Sequence, residues 1–220
     1  MKSLIALALV ASAAASAQAV ELFNNGPLID GFGAPANASN VAADNFTVTG
    51  PGWNVQGLQF FGYHPQAANF SFTEVTWSLR SGADINAATV VASGTTAVTN
   101  GGQVLAGPNR TIYRLDADIP DITLAPGAYF VTWQLFSTAA QATSATPPVL
   151  GSPGTGNSQR CLITVVPAGC TSFFANTQSG QTFDLPFTIQ GSVVPEPASW
   201  ALMLAGGLCV ASLARRRRAG

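Results

Sequence analysis

Charge is what this 220-residue chain has least of. Asp, Glu, Lys and Arg together make up 9% of it, with a single lysine, Lys2, and a single histidine, His64. Because 47% of the residues are hydrophobic, so low a charge density excludes intrinsic disorder, which needs high charge and few apolar residues. It is also far from the quarter or so of charged residues usual in soluble globular domains, and points outside the cytosol. Basic residues are scarcer still where they could matter. Between residues 20 and 194 only Arg80, Arg110, Arg114 and Arg160 face nine acids, a net charge of −5 that repels phosphate backbones. With no basic stripe or aromatic RNA-binding motif to offset it, nucleic acid is excluded as a partner class. Helical periodicity of useful length is missing too, and long apolar runs occur only at the two ends.

Those ends read as addresses. Residues 1–19 carry Lys2, an apolar run from Leu4 to about Ala15, and Ala17-Gln18-Ala19 as a small-x-small cleavage site. This pattern predicts a secretory signal helix removed by signal peptidase after Ala19. At the other end, Pro195-Glu196-Pro197 precedes an apolar stretch over residues 200–214 and then Arg215, Arg216, Arg217 and Arg218. As a helix at about 1.5 Å per residue the stretch covers roughly 22 Å, short of a hydrocarbon core of about 30 Å. Trp200 at one interface and snorkelling arginines at the other close the gap, and the positive-inside rule keeps the arginines cytoplasmic.

Pro-Glu-Pro, a short apolar helix and an arginine cluster, in that order, resemble the PEP-CTERM sorting signal of Gram-negative bacteria. The resemblance covers residues 195–218. It implies recognition by an exosortase, a membrane-embedded cysteine transpeptidase that cuts near the Pro-Glu-Pro motif. It also implies an inner-membrane-anchored precursor and final delivery to the cell surface or an exopolysaccharide matrix. Bodies attached to such signals are unrelated to one another, so the activity has to be read from residues 20–190, with residues 191–194 as a tether.

Within the body, Cys161 and Cys170 bracket an apolar run and a proline-containing turn. Cys209 lies in the apolar C-terminal stretch, which leaves two cysteines for an oxidising compartment. A disulfide pinning a hairpin is the expectation. Two cysteines nine apart with one distant histidine make no zinc ligand set.

The period along the body is two. Tyr129, Val131, Trp133 and Leu135 alternate with Phe130, Thr132 and Gln134, and Phe183, Leu185, Phe187 and Ile189 alternate with Asp184, Pro186 and Thr188. Pro186 marks the second of these as an edge strand. Phe70 and Phe72 change parity against Val75, Trp77 and Leu79 near Thr73, which predicts a bulge. Further strands are expected at 45–49, 55–63, 89–93, 103–105, 111–116 and 161–166. Turn chemistry separates them at 49–52, 81–84, 100–102, 106–109 and 125–127. Eight to ten short strands predict an all-β fold, an antiparallel β-sandwich of jelly-roll type, with residues 139–157 as a polar, proline-rich inserted loop.

Chemistry is sparse. His64 lies at a strand end with no Gly-x-Ser-x-Gly segment to supply a nucleophile, and reads as a surface loop residue. Glycoside hydrolysis would need two facing carboxylates, and nothing in the pattern specifies a pair. Asp116, Asp118 and Asp121 form the densest acidic cluster, on what reads as an inter-strand loop. Calcium, with its six to eight hard oxygen ligands, is one reading of it and a solvated loop the other. Trp77 and Trp133 belong to apolar strand faces. Trp53, in a Gly-Pro-Gly-Trp-Asn loop beside Asn54, is the candidate platform for a sugar ring. The expectation is an exported, non-catalytic structural or adhesive protein with no obligatory cofactor. A specific carbohydrate-binding module is the alternative, and an extracellular hydrolase stands behind it.

Overall fold

In a computed structural model the described residues are 19–28, 31, 33–64, 69–106, 110–139, 144–149, 156–163, 170, 172–194 and 205. The expected signal segment over residues 1–19 (apart from Ala19), the Pro-Glu-Pro motif, the apolar stretch apart from Ala205, and the arginine cluster lie outside them. No helix of the described residues is long and apolar enough to cross a membrane.

Most of the alternating segments are strands, although Phe183 to Pro186 precede the last strand without strand pairing. In chain order the strands are β1 (Val20–Asn24), β2 (Ala34–Pro35), β3 (Asn40–Val48), β4 (Trp53–Tyr63), β5 (Phe72–Ser81), β6 (Thr89–Ala97), β7 (Thr99–Ala106) and β8 (Thr111–Leu124). There follow β9 (Gly127–Ser137), β10 (Ala145–Thr146), β11 (Gln159–Leu162), β12 (Phe174–Ala175), β13 (Thr177–Gln178), β14 (Gln181–Thr182) and β15 (Phe187–Val193). Two antiparallel sheets result. The first runs β1-β15-β4-β8-β7, with β10 and then β2 taking over beside β4 at Tyr63, beyond the point where β15 begins opposite Phe60. The second runs β12-β11-β3-β9-β5-β6, and β13 and β14 pair with each other.

The all-β, sandwich-like expectation holds, and the strand order is that of a jelly roll, with β1-β15-β4-β8 in one sheet and β3-β9-β5-β6 in the other. The β5–β6 hairpin is central, and β4 with β8, β3 with β9 and β1 with β15 pair outward from it, each outer pair enclosing the inner ones in sequence. β7, inserted between β6 and β8, extends the first sheet by pairing with β8, and β11 and β12 extend the second beyond β3.

The inner faces share one core. Trp133 on β9 packs its ring 5.3 Å from Phe60 on β4 and 6.0 Å from Phe187 on β15, so the most buried indole bridges the sheets. All eight residues of the two alternating sets, Tyr129 to Leu135 and Phe183 to Ile189, are buried, as are Val75, Trp77 and Leu79. The parity change ahead of Val75 is a register shift between Phe72 and Glu74 against β9.

Several local expectations are corrected. Pro186 is not on an edge strand: it precedes β15, which lies between β1 and β4. The supposed tether is the end of that strand, where Ser192 and Val193 pair with Asn54 and Trp53, and Val194 N–H donates to the Gly52 carbonyl at 2.9 Å. Part of the supposed loop is extended and buried, with Ser144 to Val149 under the sheet margin and β10 paired to β2. The Asp116 to Asp121 segment is not a loop either. It lies within β8, where Ile119, Pro120 and Asp121 bulge opposite Gln56, and a bulge is where a strand tolerates proline. The predicted 49–52 turn is present. Gly52 has φ +112°, and a Cβ there would meet the Leu124 carbonyl oxygen at 2.5 Å, so only glycine fits.

Candidate functional site

The bulge in β8 shapes the outer face of the first sheet. Asp116, Asp118 and Asp121 line one groove of about 400 Å³ together with Gln56, Gln190 and Thr99. Arg114 forks onto Asp116 through Nε at 2.9 Å and Nη2 at 3.1 Å, and Gln59 Nε2 donates to the same carboxylate at 2.8 Å. Asp121 accepts from Asn54 Nδ2 at 3.2 Å and from Gln56 Nε2 at 3.4 Å. The three aspartates therefore line one groove. Among the described residues no group of three or more His, Cys, Asp or Glu side chains is arranged to hold a metal ion. An arginine already occupies Asp116, and amide donors occupy Asp121, where calcium would need bare oxygens.

The Trp53 expectation is corrected. It is the first residue of β4, 5% exposed, with its ring 6.1 Å from Phe46 of the opposite sheet in a stacked geometry. Pairing with Leu124 on one side and Val193 on the other draws it inward. It offers no ring face to a sugar. Asn54, one residue on, faces the groove side through its bond to Asp121.

His64 is buried at 3% exposure, not a surface residue. Its ring stacks on Phe72 at 4.7 Å, its Nε2 lies 3.5 Å from the Ser144 hydroxyl, and its Nδ1 has no partner among the described residues. Burial lowers its pKa. A histidine acting as base toward a serine is oriented by an acid on its other nitrogen, and that partner is not present here.

The most perturbed group is one the sequence reading passed over. Asp44 on β3 is 1% exposed, accepting from Leu185 N–H at 2.7 Å, Asn25 Nδ2 at 2.9 Å and Asn45 N–H at 2.8 Å. Burial pushes its pKa up to about 8, outweighing the N–H donors that favour the anion. The bonds from Asn25 and Leu185 tie β3 of the second sheet to the segments that follow β1 and precede β15 in the first. Its function is therefore that of a clip between sheets. A lone acid inside the apolar run Val41-Ala42-Ala43-Asp44-Asn45-Phe46 was the available signal.

Cys161 and Cys170 are joined in a disulfide with Cα atoms 5.8 Å apart. It sits under the outer face of the second sheet, where Cys161 packs with Val41, Ala43, Ile85, Phe130 and Phe173. β11 pairs with both β3 and β12, and residues 164–169, where the hairpin is expected, lie outside the described residues.

The sorting residues Pro195, Glu196, Pro197 and Arg215 to Arg218 lie outside the described residues. The family model of the PEP-CTERM protein-sorting motif matches residues 193–218. The match starts within β15, so the motif begins where the sheet ends. It indicates an exported protein, made as a membrane-anchored precursor and processed by an exosortase. No curated protein matches the chain.

Proposed function

We propose that residues 20–194 form a non-catalytic structural or adhesive module of the cell surface or extracellular matrix. Signal peptidase removes its leader and exosortase removes its C-terminal anchor. The observation that carries this reading is the direct continuation of a central strand into the sorting motif. β15 is flanked by β1 and β4 and contributes Phe187 and Ile189 to the core, and two residues separate its last member, Val193, from Glu196. Whatever holds the processed C-terminus thus pulls on a strand of the core. A load applied there meets the whole ladder from Phe187 to Val193 against β4.

The groove supports the alternative, a carbohydrate-binding module. Asn54, Gln56, Asp118, Asp121 and Gln190 supply carboxylates and amides of the kind that bond sugar hydroxyls, without the aromatic platform expected at Trp53. Neither reading calls on calcium, and among the described residues no group is arranged to hold it. Pull-down of the processed protein with the host's own exopolysaccharide tests the proposal. Retention that is lost in Asp118→Ala and Gln190→Ala would favour the glycan-binding module. No retention, together with weakened cell aggregation on deletion of the gene, would favour the structural role.

A further inference from the structure

The flank formed by β6 and β7 differs from every other edge of the sheets. β6 closes the second sheet and pairs, among the described residues, with β5 alone, while β7 closes the first and pairs with β8 alone. One residue, Val98, joins them, so both free edges lie on the same side of the molecule. From Thr89 through Ala106 there is not one charged residue and not one proline. Val90, Val91 and Val104 are exposed.

Exposed edges normally carry a device against pairing with another chain: a charge, a proline, a bulge or extreme shortness. The other edges here have one. β1 carries Glu21 and a register shift, β12 is two residues long, and β7 is interrupted by shifts on both sides of Gln103. On β6 the register against β5 is irregular only at Val91, between the partners of Leu79 and Arg80. Ala92 to Ala97 form an unbroken run. Its inward side chains are small or already bonded: Gly94 lies against the Trp77 indole, and Thr96 accepts from Trp77 Nε1 at 3.0 Å. Ser93 and Thr95 face outward.

We infer that this edge is a self-association surface, at which β6 of one copy pairs antiparallel with β6 of a second copy. Charge selects the occupant. A second copy carries the same −5 body and is repelled where carboxylates would meet, but the 89–106 ribbon lets two copies approach with none in opposition. A two-fold axis near Gly94 places serine, threonine and alanine across from one another, and such hydroxyl pairs stabilise adjacent strands. Nine residues at about 3.3 Å each give an edge of roughly 30 Å, and two sheets with their side chains make it about 20 Å thick. The flank therefore offers about 600 Å² per copy, enough for a specific if modest interface. This goes beyond the module's proposed role, since a monomeric module could still be structural and failure here would leave that reading in place.

The test is sedimentation of the processed protein recovered from cells, from about 1 to 100 µM. Ser93→Lys and Thr95→Lys each put like charges from the two copies diagonally across the axis, about 7 to 8 Å apart, and Thr123→Lys, at an exposed position of β8, is the control. The expected result is a concentration-dependent dimer for wild type and control, weakened at least tenfold in both β6 variants. A wild type that stays monomeric throughout, or β6 variants that dimerise like the control, would overturn the inference. Should the lysine variants not fold, amide hydrogen exchange of the wild type decides. Residues 92–97 should gain protection as concentration rises, and unchanged exchange there would refute the pairing.

Discussion

Removing the Trp133 side chain should be among the costliest single changes in the molecule. The residue is 0% exposed and lies between Phe60 and Phe187, so its ring is a central contact between the two sheets. A buried tryptophan truncated to alanine loses about 3 to 5 kcal/mol through lost burial and the cavity left behind. A second loss comes from the indole N–H, which donates to the buried Thr146 hydroxyl at 3.0 Å and ties β10 to the core. Losing that bond adds about 1 kcal/mol. The expected total is about 4 to 6 kcal/mol, a large share of the 5 to 15 kcal/mol by which domains are usually stable. Urea unfolding of the processed protein followed by tryptophan fluorescence reads the change. With a slope of about 2 to 3 kcal/mol per molar, the midpoint should fall by roughly 2 M. Trp133→Phe keeps most of the packing, leaves Thr146 without its donor, and should lose about 1 to 3 kcal/mol. If the alanine variant lost less than about 1 kcal/mol, the face containing Trp133 would not be the centre of the core.

Asp44 gives the fold a pH dependence of unusual sign. Its folded pKa of about 8 stands above the ordinary carboxylate value near 4, so the folded state binds the extra proton more tightly. Stability from this group is therefore greatest below about pH 4 and falls as pH rises through about 8, by a few kcal/mol. Unfolding midpoints between pH 4 and 8 should show the decline in wild type and lack it in Asp44→Asn; an equal slope in both would refute the assignment. Reduction of the Cys161–Cys170 bond, which closes a ten-residue loop, should cost about 2 to 3 kcal/mol. Mass spectrometry of the unreduced protein should read 2 Da below the dithiol, as loss of two hydrogens requires, and quantitative thiol labelling of the folded, unreduced protein would contradict the bond.

Local alternation carried most of the core. Trp133, Leu135, Phe187 and Ile189 were legible because a strand with one buried face writes that face at every second residue. The bulge ahead of Val75 was legible for the same reason, as a break in parity. Trp53 was not, because its glycine and proline neighbours describe the turn before it, while its burial comes from Leu124 and Val193, distant in sequence. The same holds for His64, which is covered by Phe72 and Ser144 from other parts of the chain. Which strand pairs with which was not legible, because each strand's period is identical whichever sheet it joins; the jelly-roll expectation rested on strand number and turn spacing alone. Asp116 to Asp121 read as a loop because Pro120 breaks the pattern, and only the partner strand shows that the break is a bulge. The sorting motif was fully legible, since its three parts are read in sequence by the export machinery and need no tertiary fold to be recognised.

The central claim is that this chain is an exported body released from a membrane-anchored precursor by cuts at both ends. Intact mass of the protein recovered from the outside of wild-type cells, compared with cells lacking the exosortase, tests it most directly. The account predicts a wild-type species that begins at Val20 and lacks Arg215 to Arg218, and a membrane-bound species with all four arginines when the exosortase is absent. A wild-type surface species that retains the arginine cluster would contradict it.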